Sequence, residues 1–92
     1  MLRISHATST AREAVLKIEG WINEADIALL ETEITRVRSE SSRLVLDLSG
    51  VRFIDRAALP HLRAWSKEHV ILKNASPFIQ ALLEGHDLAS GI

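Results

Sequence analysis

The chain contains no cysteine, which excludes disulfides, thiolate catalysis and Cys-based zinc sites, and fits a reducing compartment. An excess of charge of one sign is missing too: 11 Lys and Arg stand against 12 Asp and Glu, for a net charge of −1. The charges are scattered along the chain, so there is no electrostatic footprint for DNA or RNA. No stretch of about eighteen apolar residues occurs, so direct membrane insertion as a spanning helix is not expected. Met1-Leu2-Arg3-Ile4-Ser5-His6 is too short and too polar for a secretion signal, and the expected location is the cytoplasm.

What is present describes one domain over residues 1–92. Hydrophobic residues make up 47% of the chain and charged residues 25%, the balance of a globular domain able to bury a single core. No repeat, low-complexity tract or long linker divides it.

Periodicity supplies the elements. Leu2, Ile4 and His6 alternate with Arg3 and Ser5 as in a short edge strand, and residues 7–12 read as a turn. Ala14, Leu16 and Ile18 share one face of a second strand, Lys17 and Glu19 take the other, and Gly20 closes the run. Asn23 is the expected start of a helix, because Asn accepts from exposed backbone N–H groups and Glu24 and Asp26 complement the dipole. Ile27, Leu30, Ile34 and Val37 then form an apolar stripe, and the helix is expected to reach about Ser39.

Leu44, Leu46 and Leu48 mark a buried central strand with Val45 on its other face, ended by a turn at Ser49-Gly50. Asp55 stands at the start of the next helix, which carries Leu59, Leu62 and Trp65, although Pro60 disfavours a helical Leu59 and lets the start slide. Residues 69–73 read as a strand buried on both faces. Ser76 caps a last helix with Pro77 at its first position, Phe78, Ile79, Leu82 and Leu83 facing inward, and Gly85 at its end. The order β-β-α-β-α-β-α implies an α/β fold: a mixed sheet, partly parallel, with helices packed on one face.

The run Asp47-Leu48, Val51, Phe53-Ile54, Asp55, Leu59 and Leu62 resembles the signature of the STAS domain, the module shared by sulphate transporters and anti-sigma factor antagonists. Gly20-Trp21-Ile22-Asn23 is similar to the family's Gly-x-Leu-Asp before its first helix, and Asn74-Ala75-Ser76-Pro77 with Leu82-Leu83 is similar to its segment after the fourth strand. The link Ser66-Lys67-Glu68 is shorter than the family's Gly-containing turn. The resemblance implies a STAS-like, anti-sigma factor antagonist-like mixed sheet and a non-catalytic protein-protein interaction module without a cofactor. The partners it implies are an anti-sigma factor or kinase-like regulator, another STAS protein, or a transporter of which the domain is a cytoplasmic subunit. An alternative is a small-ligand domain binding a nucleotide or lipid at the carboxyl ends of the parallel strands.

In partner-switching members of that family, the first Ser or Thr after the Asp is phosphorylated by a kinase that is also the partner. Arg56 stands there, and a guanidinium has no hydroxyl to modify. Ala57 removes the second hydroxyl, and Ala58 replaces a glycine that lets a partner approach the backbone. The candidate partner-binding residues are Asp55, Arg56, Ala57, Ala58, Leu59, Trp21 and Asn23.

Each of these has a bland reading beside the functional one. Asp55 caps exposed N–H groups, contacts a partner, or does both. Arg56, a cation in the first turn of a helix, points into water or reaches an acidic partner surface. Trp21 is an exposed contact or folds over the helix edge. Trp65 belongs to the core. His6, His61, His69 and His86 lack metal-ligand spacing, and Ser49 and Ser76 read as turn and cap residues with no His-plus-acid constellation beside them, so an enzyme is not expected.

Overall fold

A computed structural model describes residues 2–85, in which β1 (Leu2–Ser9), β2 (Ala14–Ile22), α1 (Ile27–Arg38), β3 (Leu44–Ile54), α2 (Leu59–Lys67), β4 (Ile71–Lys73) and α3 (Pro77–Leu83) follow one another along the chain. The strands form one sheet in the order β1-β2-β3-β4, with β1 antiparallel to β2 and the other pairs parallel. The expected order of elements and the mixed sheet are both present.

The core follows the two periodicities. Ala14, Leu16, Ile18 and Ile22 of β2 and Leu44, Leu46, Leu48, Val51 and Ile54 of β3 point to one side. There they meet Ile27, Leu30, Ile34 and Val37 of α1, Leu59, Leu62 and Trp65 of α2, and Ile79 of α3. Each fully buried Leu or Ile contributes about 1.5–3 kcal/mol, against about 0–1 kcal/mol for an exposed ion pair. The apolar stripes, rather than the charged pairs on α1, therefore decide which face of each element turns inward. Val45 is buried outside this cluster and stands in register with Val15 and Ile71.

β3 does not end at Ser49-Gly50. The five steps from Lys17 to Ile22 on β2 are matched by seven from Asp47 to Ile54 on β3, with register shifts opposite Lys17/Glu19 and Gly20/Trp21. The expected turn is thus the first of two bulges, each of which admits one extra residue and strengthens the local twist. The Asp47 carboxylate accepts the Ser49 N–H at 2.9 Å, a local bend of the kind Asp provides. Gly20, expected to close β2, instead lies inside it with φ 97°, a conformation that favours glycine.

Other boundaries shift for tertiary reasons. β1 continues to Ser9, and the turn after it is held by Thr10 N–H donating to the Glu13 carbonyl at 2.9 Å. β4 is a three-residue edge strand that is only half-buried, not a strand covered on both faces. Before it, His69 adopts φ 72° while Val70 N–H donates to the Trp65 carbonyl at 3.0 Å and His69 N–H to that of Ser66 at 3.4 Å. That is a Schellman ending of α2 with His where glycine is usual.

The caps of α3 match expectation. Ser76 Oγ accepts from Ile79 N–H at 3.2 Å, Pro77 opens the helix, and Gly85 follows it with φ 79°. Phe78 departs from expectation, since it points outward and is 46% exposed.

Candidate functional site

Because β2, β3 and β4 are parallel, the segments that follow them emerge at the same end of the sheet. The Asp55 N–H donates to the Ile22 carbonyl at 2.8 Å, which ties the end of β3 to the end of β2. The Asp55 carbonyl then accepts from Ala58 N–H at 2.8 Å and Leu59 N–H at 3.2 Å, closing a tight turn into α2. The backbone carbonyl, not the expected side-chain cap, makes this turn. α2 starts at Leu59 with Ala58 at its N-cap, and no side chain caps it. Pro60 is tolerated as the second helical residue because its missing N–H would be unpaired there anyway.

The loop divides into anchors and a tip. Ala58 is fully buried, with φ −85°, and Leu59 joins it in the core. These two expected contacts face inward and hold the loop down, and the ordinary φ at Ala58 removes any conformational need for glycine. Arg56 and Ala57 are exposed, while Asp55 is half-buried. The Asp55 carboxylate and the Arg56 guanidinium make no hydrogen bond or ion pair among the described residues. Arg56 lies ahead of α2 rather than in its first turn, so the helix dipole acts on it less than the sequence implied.

Asn23 is exposed and opens the turn into α1: its N–H donates to the Asp26 carboxylate at 3.0 Å, and its carbonyl accepts from Asp26 N–H at 2.9 Å. One 3-10 turn, Glu24–Asp26, leads from it into α1. Trp21 is 53% exposed and packs on Phe53, with ring centroids 5.6 Å apart and planes inclined by 54°. It does not fold over a helix edge. Phe53, 37% exposed, stacks in turn on Phe78 at 6.5 Å with planes 25° apart.

Phe53 and Phe78 are thus neighbours of the site that sequence reasoning missed. One signal was available for Phe53: adjacent residues in a strand face opposite ways, so a buried Ile54 turns Phe53 outward.

The electrostatics beside the site are local. The Asp47 carboxyl is held below the usual aspartate range, first by the Ser49 backbone N–H and further by the Ser49 and Asn74 side chains and the Lys17 ammonium, against the opposing effect of burial. Glu33, on α1, is likewise lowered by its hydrogen bond with Arg36 at 2.7 Å. Among the described residues no group of three His, Cys, Asp or Glu could hold a metal ion. No helix among the described residues is long and apolar enough to cross a membrane. A cavity of about 620 Å³ lies between α2, β4 and α3, lined among others by Arg63, His69, Ile71 and Leu83. Arg63 is committed there to the Leu82 and Leu83 carbonyls at 2.8 and 2.9 Å.

This sheet, with the Asp55 loop between β3 and α2 and helices on one face, defines a domain class. The sequence model of the STAS domain matches residues 5–90, and the chain belongs to the STAS domain family. Among solved structures it is similar to the anti-sigma factor antagonist SpoIIAA in its unphosphorylated form, with a TM-score of 0.69 over 89% of this chain and 82% of that one, at 13% identity. At that identity the likeness is one of fold. No curated protein matches the chain.

Proposed function

We propose that this STAS domain is a non-catalytic docking module that binds a regulatory protein through the Asp55 loop and the start of α2, without control by phosphorylation at the family's usual position. The observation that supports it most is the loop tip. Arg56 and Ala57 are exposed, and the Asp55 carboxylate and Arg56 guanidinium have no partner among the described residues, whereas Ala58 and Leu59 fix the loop to the core. A preformed loop loses little conformational freedom on binding, and an unpaired guanidinium is suited to a bidentate pair with a partner carboxylate.

Arg56 cannot accept a phosphoryl group where partner-switching members carry Ser or Thr, so the module is constitutive at this position. The partner class follows from the resemblance: an anti-sigma factor or kinase-like regulator, another STAS protein, or a transporter component, met in the cytoplasm. SpoIIAA, described as an anti-sigma factor antagonist, is the solved relative that points to the first.

The test is capture from source-cell lysate with the intact chain and its Arg56→Glu form as parallel baits, with thermal melts confirming that both are folded. Charge reversal is expected to weaken capture by about tenfold or more. Equal recovery by the two baits would remove Arg56 from the site.

A further inference from the structure

The described residues hold four large hydrophobic side chains that stay exposed, and three of them, Trp21, Phe53 and Phe78, form a single row of ring contacts. The row draws on three different elements. Trp21 and Phe53 are partners across the β2/β3 ladder, and Phe78 comes from the first turn of α3. It adjoins the Asp55 loop, because Phe53 lies two residues before Asp55 and the Asp55 N–H is bonded to the carbonyl of Ile22, next to Trp21. The fold does not bury these rings elsewhere, and exposed aromatic clusters of this kind mark interaction surfaces.

The arginines of the fold differ in whether they meet a carboxylate. On α1 and beside it, Arg36, Arg38 and Arg43 each meet a carboxylate, at 2.7, 3.7 and 3.3 Å from Glu33, Glu68 and Glu13. Arg52, at the second bulge of β3 directly before Phe53, and Arg56, in the loop after it, are exposed and meet none among the described residues. The acids nearest in sequence are Asp55, half-buried between the two arginines, Glu19, half-buried two residues before Trp21, and Glu24, exposed three residues after it. Two free guanidiniums beside a row of rings are complementary to a chain that offers apolar bulk with negative charge beside it.

We infer that the row of Trp21, Phe53 and Phe78, flanked by Arg52 and Arg56, is a docking strip for a polypeptide segment carrying an aromatic or aliphatic anchor between carboxylates. The inference rests on the docking reading above and names the partner chemistry. The anchor packs on the face of Phe53, and the carboxylates pair with the two guanidiniums.

The experiment is a selection of displayed random short peptides on the immobilised intact chain. The most enriched peptide is then synthesised and titrated by fluorescence anisotropy against the intact chain and its Phe53→Ser, Trp21→Ala and Arg56→Glu forms, with circular dichroism melts to establish that each is folded. The expected result is a consensus of an apolar anchor flanked by Asp or Glu, with affinity falling by about tenfold or more in Phe53→Ser and Trp21→Ala and weakening as salt is added. No enrichment, a basic consensus, or binding unchanged in both ring variants would overturn the inference. Peptides sensitive to Arg56→Glu alone would overturn the strip and leave the loop site standing. Sedimentation supplies a second check: self-association abolished by Phe53→Ser would make a second copy the occupant and overturn the acidic segment.

Discussion

Gly50 stands where β2 and β3 come so close that a side chain has no room. A Cβ there would lie 2.6 Å from the Glu19 Cγ and 3.2 Å from its Cβ. The need is for space, and part of Glu19 close to the backbone supplies the obstacle. Gly50→Ala is therefore expected to destabilise the domain by about 1–3 kcal/mol, seen in urea as a lower midpoint with an unchanged slope. An unmoved midpoint would show that Glu19 swings aside freely. Asp47, three residues earlier, makes a prediction of a different kind. Its folded-state pKa is depressed, chiefly by the Ser49 N–H, so its contribution is complete above the unfolded-state pKa and is lost as pH falls through the folded one. Asp47→Asn is expected to flatten the acid side of a plot of urea midpoint against pH. A plot parallel to that of the parent chain would refute the assignment.

At the scale of elements, α3 depends most on its ends. It has seven residues and a single buried one, Ile79, well short of the roughly twelve that an isolated helix needs in water. Ser76 closes its start, and Arg63 of α2 holds its final carbonyls. Ser76→Ala should cost about 1 kcal/mol and speed amide hydrogen exchange in α3 more than in α1. Uniform acceleration across both helices would mean that the cap acts on the whole domain instead.

The same elements show what a sequence can and cannot disclose. The stripe of Ile27, Leu30, Ile34 and Val37, the alternation of Ala14, Leu16 and Ile18, and the Ser76-Pro77 cap were legible because each is a local pattern. The continuation of β3 through Gly50 was not, since a bulge is a relation between two strands and Ser-Gly reads locally as a turn. Nor was the edge position of β4, which apolar residues 70–72 disguised as a buried centre. For the site, the turn at Asp55 and the exposure of Arg56 could be read, whereas the burial of Ala58 and the joining of Trp21, Phe53 and Phe78 depend on how three elements meet.

At the scale of the whole molecule, β2, β3 and the three helices share one cluster of buried side chains, with Leu2 and Ile4 of β1 and Leu72 of β4 packed against it. Nothing in that arrangement allows one described helix to keep its apolar face covered once the sheet has opened. Cooperative loss of structure follows, as usual for domains of this size. The two tryptophans make this measurable: Trp65, 5% exposed, lies inside the cluster, while Trp21 is on the surface. In a Trp21→Phe background, Trp65 emission and far-UV circular dichroism are expected to trace the same single urea transition. Emission that changes after the circular dichroism would reveal a part of the chain, with α3 the first suspect, that opens before the core does. The outcome bears on function, because the buried anchors Ala58 and Leu59 share their cluster with Trp65. If the transitions coincide, the loop keeps its shape for as long as the core stays intact, and a partner meets a rigid tip at Arg56 rather than a segment it must first order.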